Sequence, residues 1–236
     1  MGNSFIELAE HQPIEKISVS DIVAASGKNR KTFYYHFESK EHLIRWVFRR
    51  DLADVLKANV ADDDLLFEPE GDDSFPSLPY YVHKKVGVRS LDGSVFFDML
   101  AECFQYRRSY YAKTLRMSGP DSLQAYLYRL YVPAWRRISA SSCRTAICRR
   151  ETSDSCRNSI RGPILSYLQH KVCDPTCADI TADVKPFQNI VHSSLESEIK
   201  KATAATRAVI GALLDRSQEA RSGLSMHGRL HMRCIP

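Results

Sequence analysis

Residues 17–50 read ISVSDIVAASGKNRKTFYYHFESKEHLIRWVFRR, and this stretch decides the fold. Ser18 stands three residues before Asp21, the spacing of a capping box, and Asp21 also suits the positive end of a helix dipole. Val19, Ile22, Val23 and Ala25 follow for burial, and Gly27 suits the left-handed position that closes a helix. Asn29 can cap a second short helix running through Phe37. Ser39 can cap a third, with Glu41 in its first turn and Leu43, Ile44, Val47, Phe48, Leu52 and Val55 at helical spacing as far as about Val60. A short helix, a glycine turn, a short basic aromatic helix and a long helix make a helix-turn-helix layout.

The middle helix shows why such a unit should meet DNA. At about 100° per residue, Phe33 and Phe37 share one face and can pack against Ile22 and Leu43. Lys31, Thr32, Tyr35 and His36 fall largely on the other. Arg30 and Lys31 occupy the first turn, where a recognition helix approaches the major groove. Lys40, just past the next cap, stands where a helix N-terminus and an ammonium could share one phosphate. Thr32 and the tyrosines can donate to phosphates or touch thymine methyl groups. On chemistry alone, a solvated amphipathic helix with two core phenylalanines is the alternative.

The run from Ser18 to Ile44 resembles the DNA-binding region of the tetracycline-repressor (TetR/AcrR) family of bacterial regulators. Ile22, Gly27, the series Thr32-Phe33-Tyr34-Tyr35-His36-Phe37, then Ser39-Lys40-Glu41 and Leu43 carry the likeness. The resemblance covers roughly positions 4–50 and implies a homodimeric, all-helical repressor on a palindromic double-stranded operator. Carried over residue by residue, it places Ser18 and Ser20 near the DNA backbone. It turns Arg30, Lys31, Thr32 and Tyr35 toward base edges, and gives phosphates to Tyr34, His36 and Lys40. A short first helix, Asn3 to about His11, is expected before Pro13.

Downstream, Asp62-Asp63-Asp64 and the acidic, proline-containing stretch from Glu68 to Pro79 read as a loop that DNA would repel. Helical pattern resumes near Ser94 with Val95, Phe96, Met99, Leu100, Cys103 and Phe104. It breaks at Gly119-Pro120, and Asp121 is placed to cap a helix carrying Leu123, Tyr126, Leu127, Leu130 and Tyr131. The order of these segments resembles the regulatory domain of a TetR subgroup associated with dihydroxyacetone kinase operons. Tyr106, Tyr110, Tyr111 and Tyr126 could line a pocket for an unknown small-molecule effector, or serve as ordinary core and surface residues. Positions 183–215 carry an apolar stripe suited to a dimer interface.

The chain has 236 residues and a net charge of +5, and this total hides two concentrated blocks. Residues 28–50 hold seven bases against Glu38 and Glu41, and residues 136–161 hold seven arginines against Glu151 and Asp154. The first block is expected to be the DNA-reading surface. Residues 136–177, which include the second block, hold five of the seven cysteines, Cys143, Cys148, Cys156, Cys173 and Cys177. Their spacing fits no familiar zinc module, and neither metal nor cofactor is expected. A thiol- or metal-responsive sensor built on these cysteines is the alternative reading, with a non-specific nucleic-acid binder behind it.

Residues 136–162 also lack helical periodicity. If Arg136 and Arg137 are encoded AGG, borrowing one base from the Ala134 codon turns Trp-Arg-Arg-Ile into Leu-Glu-Glu-Asp, with an Ile codon opening next, a continuation of the preceding helix. A frameshift over roughly 135–175 is the hypothesis, and CGN codons at either arginine would sink it.

The expectation is an all-α protein with an N-terminal three-helix DNA-binding domain at 1–50. A larger helical regulatory and dimerisation domain fills 51–236, with 135–175 frameshifted or irregular. No phosphate loop, nucleophile elbow or metalloprotease motif suggests an enzyme. No apolar run reaches the roughly 18 residues of a membrane span, and the first residues lack a secretory pattern, so a cytoplasmic protein is expected.

Overall fold

The computed structural model describes residues 1–71, 74–82, 93–131, 165–182, 184, 187 and 204. The head is built from α1 (Gly2–His11), α2 (Val19–Ala25), α3 (Arg30–His36) and α4 (Lys40–Asn59), with a single 3-10 turn at Ile14–Lys16. The expected punctuation is all in place. Ser18 and Asp21 form the reciprocal capping box of α2, Asn29 caps α3 through the Thr32 N–H, and Ser39 caps α4 through the His42 N–H. Gly27 lies at φ +63°. Its N–H donates to Ala24 O (3.2 Å) and that of Lys28 to Val23 O (2.9 Å), the paired bonds that satisfy the last carbonyls of α2. Phe5, Ile14, Ile17, Ile22, Phe33, Leu43 and Val47 are almost fully enclosed and form the head's core.

α4 is one unbroken helix of 20 residues and passes through position 50, so the head and the remainder share a rigid element. Its far side carries β1 (Leu65–Phe67) and β2 (Pro79–Val82), then α5 (Gly93–Tyr106) and α6 (Arg108–Arg116). Helical segments at 123–131 and 165–173 complete the described fold. Phe48 of α4 stacks on Phe104 of α5 at 5.8 Å, and Tyr81 of β2 meets Phe96 at 4.4 Å, which in turn lies 5.0 Å from Tyr131. Position 122 corrects the expected cap at Asp121: the Ser122 hydroxyl accepts the Ala125 N–H, while Asp121 faces Arg45 at 3.7 Å.

The acidic loop expected at 62–79 is more ordered than its composition suggests. β1 and β2 pair antiparallel, Leu65 opposite Val82 and Leu66 opposite Tyr81, with an irregularity before Phe67, which faces Pro79. Proline has no N–H for a ladder, so it sits at the start of its strand. The cause of the order is Arg49 on α4, whose side chain is fully buried. It pairs with Glu68, donates to Leu78 O (2.6 Å) and to the Tyr126 hydroxyl (3.0 Å), and lies over the rings of Phe75 and Tyr80. Glu68 also accepts the Phe75 N–H at 3.3 Å. A buried guanidinium needs acceptors, and the 68–78 segment with the Tyr126 hydroxyl supplies them to its two terminal nitrogens, while Nε has no partner among the described residues.

The segment 165–173 lies inside the interval assigned to a reading-frame change. Leu165, Leu168 and Val172 are buried at helical spacing there, while the arginine-rich run at 136–162 lies outside the described residues. The apolar stripe at 183–215 is outside them too, apart from Val184, which is buried, Phe187, which stacks on Tyr167 at 4.1 Å, and Ala204.

Arg49→Ala leaves Glu68 without its cation in a half-dry site and should destabilise the fold by about 3–5 kcal/mol in urea unfolding. A loss below about 1 kcal/mol would show that the pair is solvated.

Candidate nucleic-acid interface

α3 is only seven residues long, and one side chain, Phe33, anchors it with no exposure at all. Phe37 follows at the C-cap, 5.6 Å from Phe33, and closes the inner face. With both aromatics turned inward, the helical repeat leaves Arg30, Lys31, Tyr34, Tyr35 and His36 exposed on the opposite side. Tyr35 is 83% exposed and Tyr34 53%, values unusual for aromatics of this size without a partner. Tyr34 rests edge-on against Phe33 (5.3 Å) and Tyr35 against His36 (4.9 Å), so both exposed rings are braced by a neighbouring ring.

The residues singled out in the sequence do not all fall together. Ser20, Arg30, Lys31, Tyr34, Tyr35 and His36 are open to solvent. Ser18 is exposed too, but its hydroxyl donates to Asp21 Oδ2 (2.7 Å) and its N–H to the same oxygen (2.8 Å). These bonds hold the Asp21 carboxyl below the ordinary aspartate value of 3.8. Thr32 is half-buried and its hydroxyl donates to Asn29 Oδ1 at 3.0 Å, so its proton serves the α3 cap and its methyl and lone pairs remain for a ligand.

Lys40 stands apart from the phosphate role first given to it. Its ammonium donates to Ile14 O (2.9 Å) and Ile17 O (3.0 Å), pinning the turn between α1 and α2 to the start of α4. The first basic block is likewise divided. Arg45 and Arg49 are buried, and Arg50 donates to Asp51 (2.8 Å) and Asn3 (3.0 Å). Lys28, Arg30 and Lys31 are the cations of that block left on the outer surface. Helical phase is the reason: Arg45 and Arg49 lie on the face of α4 that meets Tyr126 and the 68–78 segment.

Sequence reading counted Lys28 in the basic block without giving it a position of its own, and it missed the role of α6. Lys113 donates to the Ala9 and Glu10 carbonyls at the C-terminal end of α1. Arg108 donates to the carbonyls of Lys171 (3.1 Å), Val172 (3.3 Å), Asp174 and Cys177, and Arg116 to that of Cys173 (2.9 Å). α6 therefore holds the C-terminal ends of a head helix and of the helix at 165–173 with cations, the charge such ends favour.

Of the tyrosines considered for an effector pocket, Tyr106 is 72% exposed, whereas Tyr110, Tyr111 and Tyr126 are buried. Tyr111 donates to Asp51 at 2.8 Å, and burial raises its pKa well above the ordinary tyrosine range. Burial likewise pushes the Cys103 thiol upward, and the Cys173 thiol with it, against a reactive thiolate at either position. Cys177 is buried as a free thiol, while Cys143, Cys148 and Cys156 lie outside the described residues. Among the described residues no helix is long and apolar enough to cross a membrane.

A capped helix, a left-handed glycine turn and a short second helix with a buried aromatic anchor and a basic, tyrosine-rich outer face define a helix-turn-helix DNA-binding domain. Residues 6–47 match the family model described as bacterial regulatory proteins, tetR family, so the head is a domain of that family. Over 59 residues it is 34% identical to the HTH-type dhaKLM operon transcriptional activator DhaS of Lactococcus lactis subsp. lactis (strain IL1403). That alignment takes in 25% of this chain and 32% of the relative, so the match spans about a third of the relative's length. A solved structure titled dihydroxyacetone kinase operon activator DhaS superposes with a TM-score of 0.54 at 13% identity, over 83% of this chain and 93% of that one. This second likeness is one of fold.

Asp21 makes the α2 cap pH-dependent. Its folded pKa lies below the unfolded value, so its contribution is present above about pH 4 and disappears as pH falls through the depressed pKa. Carboxyl NMR titration should show the Asp21 midpoint below 3.8 and rising toward it in Ser18→Ala. An unchanged midpoint would remove the capping box as the cause.

Proposed function

We propose that the protein regulates transcription by binding a palindromic operator as a homodimer, one α3 entering each of two successive major grooves. The observation that carries this reading is the outer face of α3, where two cations and two exposed tyrosines project from a helix fixed by a single buried phenylalanine. In this reading Arg30, Lys31, Thr32 and Tyr35 contact base edges, and Ser18, Ser20, Tyr34 and His36 contact the backbone. Lys28 adds a phosphate contact, and Lys40 holds the turn that presents Ser18 and Ser20. The regulatory part binds a small-molecule effector, and α6 carries its state to the head through Lys113 and the end of α1.

Lys28 is the outward cation given to a phosphate in each head, about two such contacts in a dimer, so log affinity should fall with log salt at a shallow slope of about −2. Lys31→Ala with Tyr35→Ala should weaken operator binding by about ten- to a hundredfold, and Lys40→Ala should act on head stability. Fluorescence anisotropy on the promoter region of the protein's own gene, against random duplex, measures both. Equal affinity for the two duplexes at moderate salt would overturn the proposal.

Repression is the family habit, but both named relatives are titled activators of a dihydroxyacetone kinase operon. A reporter fused to the bound promoter assigns the sign: expression that rises on deleting the gene marks a repressor, and expression that falls marks an activator.

A further inference from the structure

A cavity of about 410 Å³ opens where the head meets the 74–75 segment, touching the outer face of α3 only at His36. Its wall is a run of aromatic rings. Trp46 lies 5.6 Å from Phe37, Phe37 lies 5.9 Å from His42, and His42 lies 5.2 Å from Phe75, each at a different tilt. His36 and Ser74 add polar edges, and Met1 and Gly2 complete the lining. The floor is closed, since Phe37 and Phe75 are both more than nine-tenths buried. These rings come from three separate places in the chain, the end of α3, the first two turns of α4, and the segment that Glu68 and Arg49 hold down.

We propose that this cavity is a small-molecule site for a planar aromatic ligand of one or two rings bearing an acceptor oxygen. The volume is at the small end of sites for organic ligands, which limits the ring count. Rings tilted against one another offer both faces and edges, which a flat π-system can meet by offset stacking and edge-on contact together. The polar side of the lining favours an oxygen on the ligand. Imidazole and indole N–H groups are donors, and within the described residues the Trp46 indole N–H has no acceptor. A saturated ring system of the same outline keeps the hydrophobic contact and loses the ring–ring component, which separates a built aromatic site from a greasy cleft.

The protein contains two tryptophans, Trp46 and Trp135, so the full-length chain labelled with [15N]tryptophan gives two indole signals, the Trp46 one assigned by its loss in Trp46→Phe. Titration of DNA-free protein with 2-naphthol should move the Trp46 signal saturably, and decahydro-2-naphthol should bind about five- to tenfold more weakly. Ser74→Phe, which fills the cavity from the loop side, should abolish the saturable shift at an unchanged melting temperature. Ser74→Leu replaces it if the phenylalanine lowers the melting temperature. Absence of a saturable shift, equal affinity for the flat and saturated probes, or full binding to a folded Ser74 variant would each overturn the site. Because no operator is present, the result is independent of whether the head reads DNA as proposed.

Discussion

A guanidinium taken fully out of water has to be given acceptors by the chain around it, and Arg49 imposes that demand at the middle of α4. Its acceptors come from Glu68, the Leu78 carbonyl and the Tyr126 hydroxyl. Three stretches separated in sequence are thereby drawn to one helix face. The paired strands β1 and β2 lie on either side of that anchor, and the rings of Phe75 and Tyr80 cover the cation. It acts together with the buried side chains of Leu65, Phe75, Tyr81 and Val82 to hold a stretch that also carries Asp62, Asp63, Asp64, Glu68 and Glu70. With it, the long helix leaving the head is fixed to the body at the same turn that carries Asp51, Phe48 and Leu52.

The head was legible in the sequence because its determinants are local. A capping box acts over three residues, a left-handed glycine over one, and an aromatic anchor over one helical turn, so Ser18, Gly27, Asn29, Phe33 and Ser39 could each be read in place. The roles of cations were not legible, because they depend on which face of α4 meets the body. Lys40, Arg45, Arg49 and Arg50 count toward the same basic block as Arg30 and Lys31, yet they bond inward to carbonyls, carboxylates and rings. A charge sum along the chain records their number and not their direction. The same limit hid the order at 62–79, where acidic composition pointed to a solvated loop and a distant arginine decided otherwise.

The candidate interface shows the same division. Exposure of Tyr34 and Tyr35 follows from the 3.6-residue repeat once Phe33 is inside, so the sequence locates the face. The engagement of Thr32 with Asn29 and of Lys40 with Ile14 and Ile17 follows from close geometry, which no periodicity contains. What α3 presents to a partner is consequently a smaller and more aromatic surface than the basic block suggests. Affinity in such a surface leans less on bulk electrostatics and more on contacts that need a matching shape.

The three cations of α6 have one habit in common: Arg108, Lys113 and Arg116 bond to main-chain oxygens at the ends of neighbouring helices. A main-chain oxygen is present whatever residue occupies the position. The neighbours at 9, 10, 171, 172 and 173 can therefore drift in evolution, so long as they stay helical, without breaking the junction between head and body. A link of that kind lets the helices beyond α4 change in sequence while the DNA-binding head keeps its attachment.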